Sequence, residues 1–513
     1  MKLEKSLLIK VFWTFLAIIA LFYTSKAMLV SAGSVSSIKD ILLLTILIII
    51  LSSSKKAFWL LLFPMALLYA LYSPIGLMVG KPNYQYVASV FATDLLESKE
   101  FLSQIPVTNF FYPCLILAGI FFYRYITVKM HVELYRNKTV ICIFVIVSMI
   151  NQSPSEFFKS IIDSSIKVKE ELAKLNSYEI KSDWGKSELV DSKYDTYVLV
   201  IGESARKDYH HAFGYPIENT PFMSNNGMLV DGLTSGGTNT VASLRLMLTE
   251  PDRKNWEVNY NLTLIDLIKS ANIKTYWISN QGYFGKYDTP VSAIARRSDS
   301  KYFVKSGEYN SQNTSDYRLV DQLKNVLNEN KKEKKFIVVH LYGSHPNACD
   351  RVNDYKKVVN VKDKNYDYIN CYITSIKKTD DVLSQINSLL KEKYNQENET
   401  YSLVYFSDHG LFHTINNGAY NLNNSQKSAF HYNIPLFKIS SDTTKQSKCT
   451  SFKSGLNFAN GIASWVGIHN DKLKADYSLF DCKSDPNDFG LTQKIDAIKG
   501  ERAPDPAIDI REK

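Results

Sequence analysis

Five apolar runs crowd into the first 152 of 513 residues, and such a chain must satisfy a lipid solvent before it builds anything else. The runs fall at roughly 7–24, 38–54, 57–79, 109–127 and 138–151. A helix that crosses a bilayer needs about 20 mostly apolar residues, and about 17 can suffice. The first, third and fourth runs meet that length. The second and fifth have short apolar centres, and as isolated segments they also read as buried or interfacial helices. No cleavable leader explains the pattern, because apolar segments keep recurring after the first.

Five spans with a cytoplasmic N-terminus put nine basic residues, Lys2 to Lys138, in the inner segments and four, Lys26, Lys39, Lys81 and Lys99, in the outer ones. That is the bias cytoplasmic loops carry. An odd number of spans then exports everything after about residue 152. The mean hydropathy of −0.15 resembles that of a soluble protein only because it averages two unlike parts. Lysines alternate with acids throughout the remainder, and no basic arm stands out despite the net charge of +9. Nucleic acid is therefore not an expected partner. Cys349, Cys371, Cys449 and Cys482 lie in the exported part, an even number in an oxidising compartment. Proximity in sequence favours the pairs Cys349–Cys371 and Cys449–Cys482.

The organisation expected is a five-helix transmembrane domain over 1–152, an interfacial helix and linker over 153–194, and a catalytic domain over 195–513. In the middle segment Phe157, Ile161, Ile162, Ile166, Val168 and Leu172 recur near helical spacing, as on a helix lying in a membrane surface. Beyond it, short apolar runs at 196–202, 275–279, 336–343, 402–408 and 434–439 alternate with helical patterns. Buried strands alternating with helices imply an α/β domain with a mostly parallel sheet. The tail after Cys482 is charged and holds three prolines, so loose packing is expected there.

Three strand ends carry groups that bind metals. IGES places Glu203 past one strand, HLYGSH places His340 and His345 at another, and YFSDHG places Asp408 and His409 together. A lone carboxylate after a strand can simply cap a helix. Adjacent Asp and His are more telling, because a shared ion readily explains both. The Gly/Ser/Thr-rich stretch TSGGTNT puts Thr240 at a predicted helix N-terminus, where backbone N–H groups favour phosphate or simply accept an N-cap.

Taken in order, IGESAR, TSGGTNT, HLYGSHP and SDHG resemble the phosphoethanolamine transferases of the alkaline phosphatase–sulfatase superfamily, a group that includes the lipid A transferases and mobile colistin-resistance enzymes. The resemblance implies an alkaline-phosphatase/sulfatase-like fold and a bacterial inner-membrane protein with its catalytic domain in the periplasm. Residue by residue, it makes Glu203, Thr240, Asp408 and His409 zinc ligands, with Thr240 also the nucleophile. It makes His345 a catalytic histidine that serves substrate or a second metal ion. Asn280 and Lys286, in WISNQGYFGK, fall on a donor-binding stretch, and Thr93 and Glu97 match a loop motif that contacts the lipid head group. Zinc is the metal implied, although a set rich in oxygen also suits manganese.

The implied donor is phosphatidylethanolamine, the acceptor a lipopolysaccharide or other envelope glycan, and the enzyme a monomer among membrane lipids. Four positions depart from the pattern: Gly236 replaces a common cysteine, Asn421 a histidine, Leu411 a glutamate and Ser89 an asparagine. His413 or His431 would have to stand in for the missing histidine. A phosphoglycerol transferase of the same superfamily is the nearest alternative, and a non-catalytic membrane scaffold a distant one. A sulfatase is disfavoured, because no Cys/Ser-x-Pro-x-Arg run occurs.

Overall fold

The computed structural model describes residues 2–34, 37–92, 95–129, 139, 141, 153–176, 181–281, 289–304, 313–329, 333–416, 418–426, 428–474, 476–501 and 504–513. They form two compact units. One comprises Met1–Val87 and Phe101–Lys169, the other Ala88–Glu100 and Glu170–Lys513.

In the first unit three helices are long and apolar enough to cross a bilayer: Val11–Ser31, Lys55–Val79 and Val107–Lys129. The second apolar run forms the helix Ile38–Ser53 of 16 residues. At 1.5 Å per residue it is about 24 Å long, short of a hydrocarbon core about 30 Å thick. The fifth run lies almost wholly outside the described residues. Ala17, Leu21, Ile48, Leu62, Ala66, Ile116 and Ile120 pack inside the unit, while Phe12, Phe15, Leu60, Leu71 and Phe111 face outward. An exterior this apolar suits lipid. Pro74 lies inside a helix and cannot donate to the carbonyl of Ala70; the Ser73 hydroxyl donates to that oxygen instead, at 2.7 Å.

The second unit is built on one eight-stranded sheet. Its strands are β1 (Thr196–Gly202), β2 (Met228–Leu233), β3 (Lys274–Ser279), β4 (Ser300–Phe303), β5 (Lys335–His340), β6 (Tyr401–Ser407), β7 (Leu436–Ser440) and β8 (Ser447–Lys453). The spatial order is β8-β2-β7-β6-β1-β5-β3-β4. All are parallel except β7, which runs against both its neighbours.

The run TYVLVIG is buried at every position because helices cover both faces of the sheet. Tyr197, Leu199 and Ile201 point to one side, against Thr240–Met247, Leu264–Ser270 and Phe458–Val466. Val198 and Val200 point to the other, against Tyr317–Leu327 and Asp367–Glu397. This is the two-residue alternation of a strand. The five strands read from the sequence are all present. β2, β4 and β8 were not legible: Asp231 and Gly232 interrupt β2, and the outermost strands β4 and β8 are half exposed and mostly polar.

Both expected disulfides form, Cys349–Cys371 and Cys449–Cys482. The expectation of a loosely packed tail fails at its end. Ile510 is fully buried, Asp505 accepts from Arg206, and the amides of Ala507 and Ile508 donate to Asp208 and Tyr209. Asp505 partners a buried cation, while Asp509 and Arg511 pair with each other at the surface.

Candidate active site

Parallel sheets of this kind present their loops at the carboxyl ends of the strands, and ligands gather there. β1 ends at Gly202 and delivers Glu203; β6 ends at Ser407 and delivers Asp408 and His409. The neighbours pair in register, Gly202 opposite Ser407, so the three side chains leave the sheet together. Their ligand atoms all lie within 4.8 Å of one another, and all three residues are buried.

Each group is aimed by a second contact. Asp408 Oδ1 accepts from the amides of Ser204 at 2.9 Å and His409 at 2.7 Å. Ser204 reaches that geometry with φ of 57°, a strained value for a residue with a Cβ. His409 Nδ1 lies 2.7 Å from the Gly410 carbonyl, so it donates there and Nε2 keeps its lone pair for the site. Glu203 Oε1 accepts from Ser204 Oγ at 2.6 Å.

Thr240 completes the group. It opens the helix Thr240–Met247, whose N-cap Asn239 accepts from the Ala242 amide at 2.8 Å. Its hydroxyl donates to Glu203 Oε2 at 3.1 Å and lies 3.4 Å from His409 Nε2. The turn before it is tight. A Cβ at Gly236 would stand 2.8 Å from the Ser243 carbonyl, and one at Gly237 would meet Ala242 equally closely.

Electrostatically two carboxylates share one histidine. Burial resists ionising Asp408, Glu203 beside it adds repulsion, and its pKa rises well above the carboxylate range. Burial also opposes charge on Glu203, but the hydrogen bond and charge of His409 outweigh it and hold that carboxyl low. Burial disfavours the His409 imidazolium, yet Asp408 and Glu203 prevail and push it up to about 9. Asp408 Oδ2 is buried without a hydrogen-bond partner. Two carboxylates, one imidazole whose Nε2 faces them and a carboxylate oxygen without a hydrogen bond fit a divalent cation.

The other residues singled out by sequence fare unequally. His345 stacks on Tyr342, centroids 4.9 Å apart, in a loop whose Ser344 amide donates to the Glu203 carbonyl at 2.9 Å. His340 is buried beside Trp277 with Nδ1 3.5 Å from Ser279 Oγ, and it is not part of the triad. Asn280 donates to Asp316 Oδ1 and the Thr314 carbonyl, which gives it a loop-holding contact.

The side chain of His413 belongs to the Arg206 network through Tyr209 and Asp505, and His431 Nδ1 accepts from the Ser428 amide. Thr93 and Lys286 lie outside the described residues. Glu97 lies in the helix Leu95–Ser103, but its side chain is outside the described set.

Two residues at the site escaped sequence reading. Gln281 Nε2 donates to Glu203 Oε2 at 3.2 Å and to the Leu341 carbonyl at 2.9 Å; it adjoins Asn280 in the stretch already singled out. Glu100 lies three residues beyond Glu97, one helical turn on, and its carboxylate lies 3.6 Å from His345.

Comparison with known proteins gives the family and the fold. The family described as Sulfatase matches residues 195–468. A Haemophilus influenzae protein whose name as a phosphoethanolamine transferase is provisional is 51% identical over 77% of this chain and 83% of its own. The Escherichia coli phosphoethanolamine transferase OpgE is 31% identical over 80% of each chain. Among solved structures, the integral membrane protein lipooligosaccharide phosphoethanolamine transferase A (EptA) from Neisseria meningitidis shares the fold. Its TM-score is 0.60 at 15% identity, over 89% of this chain and 96% of that one.

Proposed function

This chain belongs to the sulfatase family, among its phosphoethanolamine transferases, and from that footing we propose that it moves phosphoethanolamine from phosphatidylethanolamine to an envelope glycan through a covalent ester on Thr240. The carrying observation is the Thr240 hydroxyl at the helix N-terminus, hydrogen-bonded to Glu203 and beside His409. A serine or threonine hydroxyl is a weak nucleophile until a neighbouring group activates it. A divalent cation, zinc in this reading, would be held by Glu203, Asp408 and His409 and would supply Lewis acidity that eases deprotonation of Thr240 and offsets charge on the phosphoryl oxygens.

Thr240 Oγ attacks phosphorus, and its proton passes to Glu203 Oε2 as the O–P bond forms. The bond from phosphorus to the glycerol oxygen breaks, and diacylglycerol departs with a proton from His345. In the second step an acceptor hydroxyl returns a proton to His345 and attacks the same phosphorus. The threonine ester breaks and Thr240 takes its proton back from Glu203. The catalytic unit faces the periplasm of a bacterial inner membrane, with the N-terminus in the cytoplasm. The basic residues of the inner loops and the disulfide-bonded exported domain support that placement.

The test is to incubate the full chain in bilayers containing phosphatidylethanolamine with no acceptor, then map modified peptides. Phosphoethanolamine should appear on Thr240, with about one equivalent of diacylglycerol released per chain. Thr240→Ala should lose both products, a fall of more than about 1,000-fold, while Thr238→Ala keeps the adduct. An adduct on Thr238, or one carrying glycerol phosphate, would overturn the assignment.

A further inference from the structure

His345 has a built environment that the reaction scheme above does not use. Its ring is stacked on Tyr342 with planes 14° apart, and its Nδ1 faces Glu100 Oε2 at 3.6 Å. Glu100 is buried, with 6% of its surface exposed. Its other oxygen, Oε1, accepts from Arg351 Nη2 at 2.5 Å. Arg351 is in turn fixed: its guanidinium lies 4.2 Å over the Tyr342 ring, and it donates to Asn313 Oδ1 at 2.7 Å and the Pro346 carbonyl at 3.3 Å. Next to Arg351, Cys349 is tied to the long helix through Cys371. Burial opposes charge on Glu100, but His345 and Arg351 prevail and keep its pKa below the usual value.

A neutral imidazole carries one N–H, and a carboxylate facing one nitrogen selects which. With an anion at Nδ1, the proton stays on Nδ1 and the working lone pair is left on Nε2. A shift of a few tenths of an ångström turns 3.6 Å into a hydrogen bond, and such contacts often tighten when substrate binds. Glu100 comes from the helix Leu95–Ser103, in the stretch between two membrane-spanning helices, yet it packs within the catalytic unit.

We propose that Glu100 is a positioning residue for His345, setting its ring and tautomer so that Nε2 exchanges the proton of the acceptor hydroxyl. The proposal rests on the reading of His345 as the proton carrier, and the experiment separates the two. In full-length protein in phosphatidylethanolamine bilayers, the steady-state transfer rate to a soluble glycan is compared for Glu100→Gln, Glu100→Asp, His345→Gln and the double variant Glu100→Gln/His345→Gln.

Glu100→Gln should lower kcat on the order of 10- to 100-fold, as loss of the group that orients a functional histidine does. The acceptor KM should stay within about 2-fold and the melting temperature close to that of the parent, and Glu100→Asp should recover part of the rate. In the His345→Gln background the Glu100→Gln change should have no further effect, because a residue acting through His345 cannot act without it. A slow His345→Gln whose defect multiplies with that of Glu100→Gln overturns the proposal and leaves His345 in place. Normal turnover by His345→Gln removes the proton-carrier reading and the proposal with it.

Discussion

The loop after β1 holds two buried ionic clusters, one at Glu203 and one three residues on at Arg206, and they are built to opposite rules. At Arg206 the cation is fully buried and its donors are matched. Nε and Nη2 donate to Asp208 at 2.9 and 2.7 Å, and Nη1 donates to Asp505 at 3.0 Å and the Leu411 carbonyl at 3.3 Å. Nη2 also reaches the Asp505 carbonyl at 2.6 Å, while the ring of Phe430 covers the guanidinium at 4.3 Å. At Glu203 two carboxylates converge on one imidazole, and an Asp408 oxygen is left without a donor.

A fixed protein charge meets the acceptors in the first cluster; the second leaves that place for a charge from outside. Satisfied buried charge holds a loop in place. Unsatisfied buried charge at a strand end marks where chemistry is done.

The largest effect that separates them is expected at Arg206. Arg206→Met leaves Asp208 and Asp505 without their cation, which should destabilise the chain by about 3–5 kcal/mol. Urea unfolding of the full-length protein measures it, and a loss under about 1 kcal/mol would break the comparison.

A smaller effect comes from buried histidines whose nearby carboxylates, Asp208 for His210 and Glu203 for His340, do not offset burial. His210, bonded to the Arg206 carbonyl, and His340, at the end of β5, are both lowered to about 4, chiefly by burial. A base whose folded pKa lies below its unfolded one favours the unfolded chain as it protonates. The stability is therefore present above about pH 6.5 and is lost as pH falls toward 4. By pH 5 each should cost about 2 kcal/mol, read as a falling melting temperature that His210→Gln and His340→Gln flatten.

The smallest expected effect has the opposite sign. In chelator, Asp408→Asn should stabilise the protein by about 1 kcal/mol, since Asn keeps the Oδ1 acceptor and removes a repelled carboxylate. Added zinc should raise the parent's melting temperature and leave the variant's nearly unchanged. Destabilisation by Asp408→Asn in chelator would make the two clusters alike after all.

Legibility in sequence followed physical range. The five central strands announced themselves because burial on both faces demands an unbroken apolar run. Glu203, Asp408 and His409 announced themselves because they stand directly at the ends of those runs. Glu100 did not, because a glutamate on a helix of mixed charge looks like any solvated face. Asn280 was legible as polar and near the site, but its neighbour Gln281 makes the contact with Glu203, and nothing local distinguishes the two amides. The tail misled because three prolines and a charge run read as solvated chain, whereas Asp505 is a counter-ion for a residue 299 positions earlier.

The sequence alone therefore determined the partition into an apolar part and an α/β part, the strands that carry the site, the disulfide pairs and the presence of Glu203, Asp408 and His409 at strand ends. These all follow from periodicity, proximity or position at a strand end, which act over a few residues. Only the tertiary structure decided that Arg206 is paired by the tail, that His413 serves that pairing rather than the Glu203 cluster, and that Glu100 reaches His345. Those contacts join residues far apart in the chain, and a charge finds its partner only once the backbone between them has been placed.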